Sequence, residues 1–324
     1  MTLRVGILGA GQVAARHAEA YAQLDDVQVA VVADVDPARA EALARPLGAQ
    51  AVTEWKRVLD KPLDAVSICL PHHLHLEPAV AAAERGWHIL LEKPIANTLA
   101  EADAIVNAAR RGGVRLMISF VHRFREEWQT ARAIIARGEL GQPTMALDNL
   151  LSQGGRHVPA WVWRKAEAGG GVLMYGGIHA VDRVRWLLGS EVTHVYAQAR
   201  TYSQETDVED GLTAILTFAN GATATLFENS PGYRVTPRHW ATEVFGTQGM
   251  LRVWTREFVE FSSETRAYRL NIERDDNFLR QAQEFVSAIR EDRDPSVTGE
   301  DGRAALAIAL AVYQSAATGH VVQL

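Results

Sequence analysis

The feature that most constrains this chain is the alternation filling its first third. Short β-branched runs at Leu3 to Leu8, Val27 to Ala33, Ala65 to Leu70, His88 to Leu91 and Arg115 to Ser119 are separated by Ala-rich stretches. Those stretches, Val13 to Leu24, Pro37 to Leu47, Glu77 to Arg85 and Leu99 to Arg111, carry apolar residues at helical spacing and close near Gly or Pro. Strand alternating with helix predicts an α/β half, a doubly wound parallel sheet with helices on its faces.

The second half reads differently. After a helix around Glu126 to Arg137 that stops at Gly138, strands follow one another directly: Thr144 to Leu151, Val192 to Thr201, Gly211 to Phe218, Thr223 to Glu228, Trp240 to Phe245, Met250 to Trp254 and Phe258 to Ser262. Asn220-Gly221 between two alternating runs signals a hairpin. With helices at Gly171 to Leu188, Asp276 to Arg290 and Gly299 to Thr318, this half is expected to be an α+β domain with an open, mostly antiparallel sheet. The expected division is 1–121 and 122–324, the C-terminal helix being free to pack back on the first domain. Glu291-Asp292-Arg293-Asp294 is expected to be a solvated turn.

Composition narrows the partners. A chain of 324 residues with 48% hydrophobic content can bury the cores of two domains. Its net charge of −6, with cations scattered, leaves no electrostatic footprint for nucleic acid or an anionic membrane, so a small molecule is the expected ligand. No apolar run approaches the roughly 20 residues of a membrane span, and the start at Met1-Thr2-Leu3 lacks a signal peptide's cleavage pattern. Cys69 stands alone in an apolar run, which fits a buried thiol and a cytoplasmic location.

Two constellations carry chemistry. Gly9-Ala10-Gly11-Gln12-Val13-Ala14 follows the first strand and opens the first helix, where glycines let the backbone approach a pyrophosphate. Asp34 ends the second strand, where a carboxylate accepts ribose hydroxyls and repels a 2′-phosphate; the cofactor expected is therefore NAD rather than NADP, unless Arg39 reaches round. The second constellation joins Glu92-Lys93-Pro94, past a buried strand, to the glycine-rich run Gly169 to Asp182. Lys93 would hydrogen-bond a carbinol oxygen, and His179 would act as general acid/base beside Tyr175, four residues earlier on the same helix face. Asp182 would orient the imidazole, or pair with Arg183 or Arg185. The blander readings are a glycine turn without cofactor, a surface Glu-Lys pair and a packed histidine. His72, His73 and His75 resemble a metal cluster only by composition, since adjacent turn residues point apart.

These residues resemble the Gfo/Idh/MocA family of glucose-fructose oxidoreductase and inositol dehydrogenase, nearly end to end. The likeness runs through Gly9-Ala10-Gly11, Leu70-Pro71-His72-His73-Leu74-His75, Glu92-Lys93-Pro94, His122-Arg123-Phe124, Trp163-Arg164, the glycine-rich segment with His179, and Val244 to Gly249. The resemblance implies a Rossmann domain joined to an open sheet, a Lys-Pro peptide that is often cis, and Lys93 with His179 as the catalytic pair converging on one oxygen beside the nicotinamide. It implies cofactor contacts from Gly9, Gly11, Gln12, Val13, Asp34, Leu70, His72, His75, Glu92, Lys93, Trp163 and Arg164. Substrate contacts would come from Lys93, His122, Arg123, Trp161, Tyr175 and His179, and a homodimer or homotetramer would form through the sheet. Tyr175 replaces the family's usual Asp, and Val121 a common Asn, so the polar contacts to substrate differ here. The expected activity is hydride exchange between NAD and a secondary alcohol or ketone of a sugar, inositol or polyol. Redox-neutral use of tightly held NAD for elimination, glycoside cleavage or epimerisation is the second reading, and a non-catalytic dinucleotide-binding protein the third.

Overall fold

A computed structural model describes residues 2–152, 158–202, 206–233, 235, 238–273 and 276–324. Two compact units divide the chain, Met1–Val121 with Asp276–Arg303, and His122–Asp275 with Ala304–Leu324.

In the first unit, β1 (Leu3–Leu8), α1 (Gln12–Tyr21), β2 (Val27–Ala33), α2 (Pro37–Ala44), β3 (Gln50–Val52), β4 (Ala65–Ile68), α3 (Leu76–Glu84), β5 (His88–Leu91), α4 (Leu99–Gly112) and β6 (Leu116–Ile118) succeed one another. The strands form one parallel sheet in the order β3-β2-β1-β4-β5-β6. β4 is buried throughout and β1 and β5 almost so, as a sheet covered on both faces requires. The strand order reverses at β1, which leaves a crevice beyond the carboxyl ends of β1 and β4. Local chemistry sets the helices: Asp36 caps α2 through the Ala38 and Arg39 amides, and Thr98 with Glu101 forms a capping box on α4.

The second unit holds α5 (Glu126–Ala136), β7 (Pro143–Leu151), the short α6 (Lys165–Ala168), α7 (Ile178–Leu188) and β8 (Val192–Arg200). Then come β9 (Gly211–Phe218), β10 (Thr223–Asn229), β11 (His239–Gly246), β12 (Gly249–Trp254), β13 (Phe258–Ser263) and β14 (Ala267–Asn271). Gly221, at φ +85°, turns the β9–β10 hairpin as Asn220-Gly221 predicts. Neighbours in the sheet are antiparallel except β7 and β10. Alternate residues face the core, among them Ala146, Asp148 and Leu150 of β7 and Ala224, Leu226 and Glu228 of β10.

The chain then returns to the first unit as α8 (Asn277–Arg290), starts α9 (Gly299–Thr318) there, and finishes in the second with β15 (Val322–Gln323) beside β8. The segment that joins the first unit is thus α8 with the start of α9. The reason is the apolar stripe of α8, where Ala282, Phe285, Val286 and Ala288 are buried and the helix packs on α1. The charged run after α8 is an exposed turn whose charges are paired: Asp292 and Asp294 hold Arg115, and Arg293 is held by Glu284 and Glu291.

Candidate active site

The first unit's site begins at the β1–α1 turn. Gly9 lies at φ +94°, and a Cβ there would stand 2.4 Å from the Cys69 carbonyl oxygen, so only glycine fits. At Gly11 a Cβ would meet nothing within 4 Å, which leaves this face open to a ligand at the first amides of α1, Gln12 and Val13. Asp34 braces the turn, its carboxylate accepting from the Ala10 amide at 2.7 Å and the Asp36 amide at 2.9 Å, while Arg39 lies 3.6 Å away. Beside it opens a cavity of about 410 Å³ lined by Asp34, Val35, Thr53, Trp55, Leu70 and Leu74. Val35 is 86% exposed there, an apolar surface suited to one face of a purine. These residues fit a dinucleotide: glycines at the turn, a carboxylate for ribose and an apolar slot beyond it.

Lys93 follows β5 with a cis peptide to Pro94. Burial pushes its ammonium's pKa down and Glu92 pushes it back up. Glu92 is buried, and its carboxylate meets His17 Nε2 at 3.0 Å. His75 is fully buried, with Nδ1 3.0 Å from the Pro94 carbonyl and Nε2 2.9 Å from that of Leu70. It thereby ties two backbone turns together. His72 is buried beside it, the rings 6.0 Å apart. Among the described residues, no group of three or more His, Cys, Asp or Glu side chains is placed to hold a metal ion.

The second unit's site rests on the glycine-rich segment. Leu173–Gly177 is a π-helical turn, and the α-helix begins only at Ile178, so Tyr175 and His179 do not share one regular α-helical face as expected. The segment is anchored by Glu209, whose carboxylate accepts from the Gly171 amide at 2.8 Å, the Leu173 amide at 3.0 Å and the Tyr313 hydroxyl at 2.9 Å. Glycine is required because a Cβ at 171 would stand 1.9 Å from the Glu209 carbonyl oxygen, and one at 170 would stand 2.0 Å from Tyr313 Oη.

His179 stacks on His122, ring centroids 4.2 Å apart and planes within 7°. Arg183 Nη1 lies 2.9 Å from His122 Nδ1; since a guanidinium only donates, that nitrogen accepts and any ring proton sits on Nε2. Burial, then His179, Arg125, Arg183 and Arg256, hold His122 well below the usual histidine pKa, and the ring is neutral. Arg183 is itself sandwiched between Trp128 and Trp240, 4.2 and 4.6 Å from their centroids, and pairs with buried Asp148, which also takes the Trp240 indole N–H at 2.7 Å. The histidine stack thus stands on a neutralised, fully packed base.

Asp182 takes Arg123, at 2.9 and 2.5 Å, a partner that spacing along the helix did not point to. This gives the buried Arg123 guanidinium a counter-charge. His122 serves the stack from a buried position. Tyr175 lies edge-on to Trp161, centroids 6.5 Å apart, two half-buried aromatics able to line a pocket. Arg164 is exposed and paired with Glu167. Residues 153–157, Arg234, Thr236 and Pro237 lie outside the described residues.

Sequence reasoning missed His17, Asp148, Glu209 and Glu228, and it named Arg183 only as a candidate partner of Asp182. One readable signal was an acid at a core-facing place in an alternating strand, as at Asp148 and Glu228. Neither Glu228 carboxyl oxygen has a hydrogen-bond partner among the described residues, and burial, then Asp148, push its pKa well above the ordinary value.

Residues 3–120 match the oxidoreductase family with an NAD-binding Rossmann fold, and 128–252 match the GFO/IDH/MocA C-terminal domain. The chain belongs to the Gfo/Idh/MocA oxidoreductases, with NAD as cofactor. More particularly, it is 30% identical to the uncharacterized oxidoreductase YrbE of Bacillus subtilis, over 97% of this chain and 94% of that one. It is equally 30% identical to D-glucoside 3-dehydrogenase of Escherichia coli, over 99% and 97%. A levoglucosan dehydrogenase solved in complex with NADH and levoglucosan superposes with a TM-score of 0.93 at 25% identity, covering 100% of this chain and 99% of that one. Among the described residues, no helix is long and apolar enough to cross a membrane.

Proposed function

We propose that this chain is a reversible NAD-dependent dehydrogenase of a secondary alcohol on a sugar, inositol or related polyol. The observation that carries the reading is the preparation of two groups of opposite duty. Lys93 is a half-buried ammonium fixed after β5 in the unit that bears the dinucleotide turn, and His179 is an imidazole stacked on a neutral partner. NAD, held by Gly9, Gly11, Gln12, Val13 and Asp34, supplies the hydride acceptor, or as NADH the donor. Lys93 donates a hydrogen bond to the reacting oxygen and stabilises its alkoxide character. His179 takes the hydroxyl proton during oxidation and returns it during reduction. Tyr175, a phenol in place of the family's usual carboxylate, both donates and accepts towards the remaining hydroxyls, and Trp161 offers an aromatic face to the sugar ring. The named activities of the relatives, on a glucoside and on levoglucosan, support this substrate class. We further place the enzyme in the cytoplasm, where lone Cys69 stays reduced, as a homodimer or homotetramer joined through the exposed sheet face.

The test is spectrophotometric screening of NAD reduction against sugars, anhydrosugars and inositols. Lys93→Ala and His179→Ala should each lower kcat by about 100-fold or more, the range for lost acid/base or electrostatic help. Near-normal rates in both would remove the mechanism.

A further inference from the structure

The proposed reaction gives no task to His17, although this side chain is only 2% exposed and sits on α1, the helix whose first turn meets the dinucleotide. A histidine in a core is costly unless its ring nitrogens are engaged. Here Nε2 meets Glu92 Oε1 at 3.0 Å, and Nδ1 lies 3.4 Å from Ser67 Oγ, itself 2.7 Å from Tyr21 Oη. The other Glu92 oxygen accepts the Lys93 backbone N–H at 3.3 Å. One buried carboxylate thus has an oxygen on the dinucleotide helix and an oxygen on residue 93.

We propose that His17 is a positioning residue for Lys93: by gripping the Glu92 carboxylate it fixes a negative charge beside the ammonium and ties that pair to the helix that receives the cofactor. The inference rests on the role given to Lys93 above. Its electrostatics agree. Burial alone would raise the Glu92 carboxyl, yet the His17 hydrogen bond and charge, then Lys93 and Ser119, bring it below the ordinary value. Cys69 and His75 also face Glu92, and burial pushes the thiol's pKa up and the imidazole's down. Hydrogen bonding from His17 therefore maintains the anion that keeps Lys93 protonated, and a protonated Lys93 is the form that can donate to a substrate oxygen. Ser67 and Tyr21 close the far side of the ring, and Phe278 of α8 packs edge-on against it at 5.6 Å.

The test reads Lys93 directly. The full chain, with and without NADH, is labelled with trace acetic anhydride across about pH 6 to 11, a range that brackets the ordinary lysine value, and acetylation of Lys93 is followed by mass spectrometry. In the wild type Lys93 should titrate below an ordinary lysine. Glu92→Gln and His17→Phe should each move that titration down by about 0.5 to 1 unit. His17→Gln, whose amide still donates to Glu92, should restore most of the difference. A packing role alone would lower the melting temperature of His17→Phe without moving Lys93. Unchanged titration in folded Glu92→Gln overturns the proposal, as does unchanged titration in folded His17→Phe; should the latter not fold, Glu92→Gln still decides. No substrate enters the assay, so failure here leaves the proposed reaction standing, and absence of turnover in the sugar screen leaves the labelling result readable.

Discussion

Asp34 shows how one side chain can serve two ends. Its carboxylate braces the glycine turn through the Ala10 and Asp36 amides while presenting negative charge to the expected ribose site, and Arg39 waits 3.6 Å away with Asp36 as its other partner. Asp34→Ala removes the ribose acceptor and the repulsion of a 2′-phosphate together, and frees the guanidinium. NADH affinity, read by fluorescence titration, should fall by about 10- to 100-fold, the size of a lost charged hydrogen bond. NADPH affinity should fall less or rise. Equal losses for both cofactors would mean that Asp34 acts only as a brace. Glu228 makes the complementary point: it packs so close to Gly177 that a Cβ there would stand 3.1 Å from its carboxyl carbon, and a side chain at 177 would require the buried acid to give way.

At the scale of elements, the glycine-rich segment is where spacing alone misled. Sequence periodicity gives a helix from Gly171, and a π-turn was invisible in it because glycines satisfy any helical template. The anchor, Glu209, lies 38 residues from Gly171, a separation that no local pattern encodes. The regular elements were legible for the opposite reason. β9 and α9 match their expected limits, since buried alternation and helical spacing are local signals. β3, with three residues, and β14, mostly exposed, carried too little apolar pattern to be read. Motifs single out Lys93 and His179 as candidates, whereas the links from His17 to Glu92 and from Arg183 to Asp148 join distant elements and leave no local pattern. Gly171→Ala tests the anchoring: with its Cβ driven into the Glu209 backbone, the variant should lose about 1 to 3 kcal/mol by thermal or urea unfolding, the usual cost of overpacking. Wild-type stability would show that the turn can shift freely.

On the scale of the whole molecule, the outer face of the second unit's sheet sorts its side chains by strand. One cross-strand row runs Tyr196, Ile215, Thr225, Leu147, Glu243, Arg252, Glu260, Arg269. Its charged half satisfies itself through Arg252 to Glu243 at 2.6 Å and Arg269 to Glu260 at 2.7 Å. The other half leaves Tyr196 41%, Ile215 48% and Leu147 37% exposed, with Phe227 and Met145 exposed outside that row, an apolar surface that a second copy would cover. Ile215→Lys should therefore reduce the mass measured by light scattering to that of one chain, and a wild type that is already a single chain at tens of micromolar, well above the dissociation constants of stable interfaces, would refute this assembly.

The route of the chain has a consequence for its birth on the ribosome. Because α8 lies after the whole of β7 to β14 yet packs on α1, the nucleotide-binding unit stays unfinished until more than 150 further residues have emerged after Val121. During that interval the inner side of α1, His17 included, waits for the cover that Phe278 will provide. A nascent chain halted at the obvious seam would thus carry the glycine turn but expose an oily flank, a natural handle for chaperones.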